Sequence, residues 1–207
     1  MPLIYQADIN DFTKIGVWHI TEAEDFFLQL VSVQRTITHP HKRLQHLAGR
    51  YLLRTLFPEF PVPLILIADT KKPYLENEAF HFSLSHCGNY AAAIVSTKNR
   101  VGVDIEIPHN KIERVKHKFL SPGEETIMQH VHHDLHHALT QAWSIKEAMF
   151  KWYGLGSVDF KDDMQILSIA RQGNVFLADC FFKKELNRNI VVESIFIDGN
   201  NLSRIVT

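Results

Sequence analysis

The stretch Val101-Gly-Val-Asp-Ile-Glu-Ile107 decides how the rest of the chain is read. Strand side chains alternate between faces, so Val101, Val103, Ile105 and Ile107 form one apolar row, while Gly102, Asp104 and Glu106 form the other. Carboxylates two positions apart on a strand start less than about 7 Å from one another. Both could therefore reach one hard cation such as Mg²⁺. A half-exposed strand also carries acids on its wet side as routine, and for this segment alone solvent is the ordinary reading.

Downstream, Trp143-Ser-Ile-Lys-Glu-Ala-Met-Phe-Lys151 falls in a helix with a broad apolar face made by Leu139, Ala142, Ile145, Met149, Phe150, Trp152 and Tyr153. Glu147 and Lys151 sit four apart at the edge of that face, where an isolated helix would make of them a surface ion pair. Lys146 projects among the apolar residues, so its stem is expected to pack while its ammonium snorkels toward a groove. Trp143 reads as core. Upstream, Lys71-Lys-Pro-Tyr74 and Phe82-Ser-Leu-Ser-His86 place a basic turn and a hydroxyl–imidazole pair in one region. Ser85 and His86 point to opposite strand faces, which rules out a hydrolase dyad by adjacency. Near a strand end, they could still converge with backbone N–H groups on phosphate oxygens.

These segments sit in an α+β chain. A strand at 15–20 leads to a capping-box pattern, Thr21-Glu-Ala-Glu24, that predicts a helix to about residue 34. A second helix is expected at 42–57, ended by Pro58, Pro61 and Pro63. Strands follow at 64–68, around Phe82 and at 90–96, with Gly88-Asn89 as a turn. The second half repeats that order, with the strand 101–107, helical material at 111–153, and strands near 164–169, 174–182, 190–197 and 202–206. The expectation is two similar halves in a pseudo-twofold arrangement, 1–98 and 99–207, each with helices on a small, mostly antiparallel sheet.

At 207 residues, 45% hydrophobic, 22% charged and net charge −1, the chain is a globular protein with a sizeable core. No uncharged apolar run is long enough to cross a membrane. The N-terminal stretch lacks a secretory pattern, so the expected location is the cytoplasm. Cys87 and Cys180 stand in no metal or redox spacing and read as thiols. Near-neutral charge argues against nucleic acid as a partner, while leaving room for local basic clusters that grip a small polyphosphate.

Taken together, Lys72-Pro73 with Phe82-Ser-Leu-Ser-His86, then Gly102-Val-Asp-Ile-Glu106, then Trp143-Ser-Ile-Lys-Glu-Ala-Met-Phe-Lys151 resemble, in order, the motifs of the long, single-chain 4′-phosphopantetheinyl transferases. Phe119-Leu-Ser-Pro-Gly-Glu124 resembles that family's short Phe-to-Glu element. The resemblance implies transfer of the phosphopantetheine arm of coenzyme A to a serine of an apo acyl or peptidyl carrier protein, releasing adenosine 3′,5′-bisphosphate. It implies Mg²⁺, with Mn²⁺ also suited to oxygen ligands, held by Asp104, Glu106 and Glu147. Glu147 and Lys151 would be catalytic, Lys151 as a charge stabiliser in preference to a proton relay to the leaving group, and Glu147 as proton acceptor either directly or through a metal-bound water. Lys72, Ser85 and His86 would contact coenzyme A, with Lys146 in the same groove. Arg43, Arg50 and Arg35, in that order, are the candidates for its nucleotide phosphates. Gln45 stands where some relatives have arginine. The family's short members trimerise, so a chain of two halves is expected to act as a monomer with coenzyme A in the cleft between them.

One competing pattern is His130-Val-His-His-Asp-Leu-His-His137, similar to the His-rich runs that ligate zinc pairs. Leu135 stands where such a run needs its last histidine. A solvated connection between helices is the simpler reading.

Overall fold

The computed structural model describes residues 2–32, 36–132, 134–185 and 187–207. The chain is α+β and divides into two compact units, Met1–Val101 and Gly102–Thr207. No described helix is long and apolar enough to cross a membrane.

In the first unit, β1 (Leu3–Asn10), β2 (Thr13–His19), β5 (His81–Cys87) and β6 (Tyr90–Ser96) form a sheet in the order β1-β2-β6-β5, antiparallel throughout. The short strands β3 (Leu66–Ile67) and β4 (Pro73–Tyr74) pair separately. Helix α2 (Pro40–Leu56) buries Leu47, Leu52, Leu53 and Leu56 with Trp18, Phe27, Phe82, Ala91, Ala93 and Val95. Pro40 opens it, supplying a first helical residue that has no N–H to satisfy.

Two expectations for this unit need correction. Strand β1 is additional to those expected. Helix α1 is only Glu24–Leu28, with Ala23 at its N-cap and no side-chain cap. The Thr21 capping box does not form; Glu22 instead accepts from the Trp18 indole N–H at 3.1 Å and from the Thr21 backbone N–H at 3.2 Å. The end expected near residue 34 falls among residues 33–35, outside the described ones.

The second unit orders its five strands β7-β11-β10-β9-β8, with β7 Val101–Glu106, β8 Met164–Gln172, β9 Val175–Phe182, β10 Arg188–Ile197 and β11 Asn200–Val206. The helical stretch resolves into α3 (Ile112–Val115), α4 (Pro122–Val131) and α5 (Leu135–Tyr153). Asp134 caps α5, accepting from the His137 N–H, and Gly154 ends it in the left-handed conformation at φ 73°. Its apolar face, including Ala142, Ile145, Met149 and Trp152, packs with Met164, Ile166, Phe182 and Val192 of the sheet. A Cβ at Gly102 would stand 2.3 Å from the Ala148 carbonyl oxygen and 2.8 Å from the Trp152 nitrogen. Helix α5 therefore rests backbone to backbone on β7 at this point.

Lys146 corrects the snorkelling expectation. It is fully buried, and its ammonium donates to the carbonyls of Phe119 at 2.5 Å and Phe160 at 2.9 Å and pairs with Glu124 at 2.6 Å. Glu124 also closes a capping box with Ser121 at the start of α4 and accepts from the Ile166 N–H at 2.9 Å. One carboxylate thus ties α4, α5 and β8 together. Removing either partner of such a pair leaves a buried charge uncompensated, at a cost of about 3–5 kcal/mol.

Gly102→Ala should lower stability by about 1–3 kcal/mol, the cost of overpacking at a close contact. Urea unfolding checks this, and an unchanged midpoint would contradict the backbone-to-backbone seating.

Candidate functional site

The close approach at Gly102 brings the even-numbered row of β7 beneath α5, which encloses Asp104 and leaves Glu106 only partly open to water. Asp104 is 1% exposed and Glu106 is half-buried. Lys151, two turns past Ser144 on α5, binds Asp104 Oδ1 through its ammonium at 2.6 Å. The surface Glu147–Lys151 pair expected of an isolated helix is thus replaced by a bond from the helix to the strand. Trp143 stacks on Phe160 at 5.2 Å, and its indole N–H donates to Glu106 Oε1 at 3.3 Å.

Glu147 registers this crowding. Desolvation by burial is the largest cause raising its pKa to about 7, and the negative charges of Asp104 and Glu106 push the same way against the pull of Lys151. The three carboxylates and Lys151 therefore share one electrostatic neighbourhood. Among the described residues, no group of three His, Cys, Asp or Glu side chains is arranged as a ready metal cage. The donor chemistry nonetheless suits a hard divalent cation: the donors are all carboxylate oxygens, and their mutual repulsion is what such an ion relieves.

The other candidates lie in the first unit. Ser85 is buried and His86 is exposed, on opposite faces at the end of β5. The α2 side chains meet the turn that follows: the Gln45 amide donates to the Gly88 carbonyl at 2.8 Å, and the His41 ring pairs with Asn89 Oδ1 at 3.0 Å. Gln45 thus acts as a structural tie. Arg43 pairs with Glu24 at 2.7 Å. Arg50 is buried, and its guanidinium donates to the His46 carbonyl at 3.4 Å. Arg35 lies outside the described residues.

Lys72 is half-buried in the β3–β4 connection, where desolvation and then the charge of Arg100 lower its pKa to about 8. Sequence reading passed over Arg100, whose place just before β7 gave no sign of a positive neighbour at Lys72. It also missed the Trp143 bond to Glu106, since an amphipathic pattern marks a tryptophan as core without showing where its N–H points.

The histidine run is less solvated than expected. His132 stacks on Phe176 at 5.0 Å and pairs with Gln141 Oε1 at 2.6 Å, while His130 bonds the Thr126 carbonyl at 2.6 Å. His133 lies outside the described residues. Cys87 and Cys180 are in no disulfide, and burial pushes the Cys180 thiol far up.

Residues 100–196 match the family model described as the 4′-phosphopantetheinyl transferase superfamily. A Haemophilus influenzae protein carrying a 4′-phosphopantetheinyl transferase name is 28% identical over 153 residues, 68% of this chain and 65% of its own length. The 4′-phosphopantetheinyl transferase AcpT of Escherichia coli K12 is 33% identical over 117 residues, 55% of this chain and 59% of its own. Enterobactin synthase component D of Salmonella typhi is 32% identical over 113 residues, 53% of this chain and 47% of its own. In each case the match spans less than two thirds of the relative's length. The matched segment begins one residue before β7 and holds both the acids and the helix that faces them, so this part of the chain is similar to the 4′-phosphopantetheinyl transferase superfamily.

Proposed function

We propose that this chain transfers the 4′-phosphopantetheine arm of coenzyme A to a serine hydroxyl of an apo acyl or peptidyl carrier protein, in a Mg²⁺-dependent reaction that releases adenosine 3′,5′-bisphosphate. A cytoplasmic monomer is the setting this reading implies. The observation that carries it is the gathering of Asp104, Glu106, Glu147 and Lys151, which leaves the Glu147 carboxyl at about 7.

Asp104, Glu106 and Glu147 would hold the divalent ion, Mg²⁺ or Mn²⁺, which when bound supplies positive charge against the pyrophosphate oxygens. Lys151 adds a second positive charge on the same side, where negative charge builds as the reaction proceeds. The serine Oγ forms a bond to the phosphorus that bears the pantetheine arm. The bond from that phosphorus to the bridging oxygen breaks, and the bisphosphate leaves with the electron pair. The serine proton passes to a carboxylate oxygen of Glu147, which acts as the general base.

Lys72, Ser85 and His86 are assigned to coenzyme A, with Arg43 and Arg50 as further phosphate contacts. Of the basic groups, Lys72 is the strongest assignment. Lys72 stands beside Arg100, and a phosphate between them would favour both positive charges.

Incubation of an apo carrier protein with coenzyme A and Mg²⁺, scored by intact mass, should show the gain of one arm. Glu147→Gln should slow it by at least about 10²-fold, the scale for losing a proton acceptor. No gain on fatty-acid and peptide-synthetase carriers alike would overturn the reading.

The pKa of Lys72 gives a second test. Its folded value lies below the 10.5 of an unperturbed lysine, so between about 8 and 10.5 the unfolded chain binds more protons. Its contribution to folding is therefore unfavourable at neutral pH, and this is relieved as pH rises through the folded value. The same rise removes the charge that would hold a phosphate. Coenzyme A affinity, measured by calorimetry, should fall roughly tenfold between about pH 7 and pH 9.5, the scale of one lost charge-assisted contact, while Lys72→Arg stays charged and keeps its affinity. Equal pH dependence in the two proteins would remove Lys72 from the site.

A further inference from the structure

Under the N-terminal half of α5 runs a buried polar seam that the transferase reading does not use. Thr140, Gln141 and Ser144 are 2%, 0% and 0% exposed, and Asn201 on β11 is 0% exposed. Thr140 Oγ1, Gln141 Nε2, Ser144 Oγ and Asn201 Oδ1 each have no hydrogen-bond partner among the described residues. Gln141 Oε1 is taken by the His132 ring at 2.6 Å. Exchanging the amide oxygen and nitrogen would only move the unpaired atom from one to the other.

Two contacts fix where α5 lies on the sheet. At its C-terminal end the Trp152 indole N–H donates to Thr207 Oγ1 at 3.0 Å. Toward its N-terminal end the His137 ring lies 5.3 Å from that of Phe196, whose partner across the β10–β11 pair is Asn201. The helix between those contacts is about 22 Å long and the strand between them about 20 Å, so the two run side by side. By those rises the turn from Thr140 to Ser144 lies just past Asn201, level with about residues 202–204 of β11. Ser144 and Gln141 share the helix face of Ala148, four and seven residues on, and the Ala148 carbonyl lies against Gly102 of the sheet. The floor of the seam is polar too: the Asn201 amide donates to Ser203 Oγ at 3.0 Å, and Ser203 and Ser194 share a hydrogen bond at 2.8 Å.

Buried polar atoms are nearly always paired, and internal water is the usual partner where side chains supply none. Here the unpaired set is neutral and mixed: an amide nitrogen that donates, an amide oxygen that accepts, and two hydroxyls that can do either. Water, donor and acceptor at once, satisfies all of them, whereas an ion of either sign would leave some opposed.

We propose that the seam between the first turns of α5 and β11 is an internal water site, in which ordered water bridges Thr140, Gln141 and Ser144 of the helix to Asn201 of the sheet. The site stands apart from any reading of the chemistry. It also means that the helix carrying Glu147 and Lys151 is seated on exchangeable solvent one turn before Glu147, rather than on apolar packing along its whole length.

High-resolution crystal structures of the wild-type protein and of a Thr140→Val, Ser144→Ala double variant test this. The wild type should show at least one fully enclosed water within hydrogen-bond distance of two or more of the four atoms, and the variant should lose it. A dry seam in the wild type, with these side chains paired to one another or to the main chain, would overturn the proposal. Should the variant fail to fold, the wild-type density decides alone.

Discussion

No side chain fits at position 102 without driving helix and strand apart, because a Cβ there would meet the Ala148 carbonyl oxygen at 2.3 Å. From this single constraint the candidate site follows. Backbone contact at Gly102 sets the height of α5 above β7, and the same row of the strand then delivers Asp104 and Glu106 to the underside of a helix that carries Glu147 and Lys151. Lys151 bridges the gap to Asp104, and the Trp143 indole reaches Glu106 from the same helix.

The arrangement is electrostatically unfavourable in both units. Burial beside two like charges makes the Glu147 carboxyl hard to ionise, and burial beside Arg100 makes Lys72 hard to protonate. Neither strain is needed to close a core, since each unit has its own apolar cluster. Strained charges that packing does not require are characteristic of sites that receive a charged ligand. The Lys146–Glu124 pair is a different case: its groups are fully buried and hydrogen-bonded to protein, and it joins elements rather than awaiting a ligand.

Much of this was legible in the sequence, through periodicity. The alternation in 101–107 identified the strand and the shared row of Asp104 and Glu106, and the apolar spacing up to Tyr153 identified α5. The burial of that row was not legible, because alternation tells two faces apart without saying what covers each, and a covering helix turns a nominally wet face into an enclosed one. Lys146 shows the same limit. Its apolar neighbours were visible, but the carboxylate that neutralises it lies in the capping box of another helix, and capping-box spacing does not reveal a third partner. The Thr21 pattern failed for a local reason: the Trp18 indole engages Glu22, and the helix starts later. Strand β1 was missed because its residues alternate only between partly buried and exposed, so its apolar signal is weak.

The central proposal is that Asp104, Glu106 and Glu147 would together hold a divalent cation. The most direct measurement is anomalous diffraction at the manganese edge from crystals grown with Mn²⁺ and coenzyme A. The account expects one strong peak within coordination distance of oxygens from all three residues, and its absence in Asp104→Ala crystals. A peak held by other groups, or none near β7 in a crystal that contains bound coenzyme A, would contradict it.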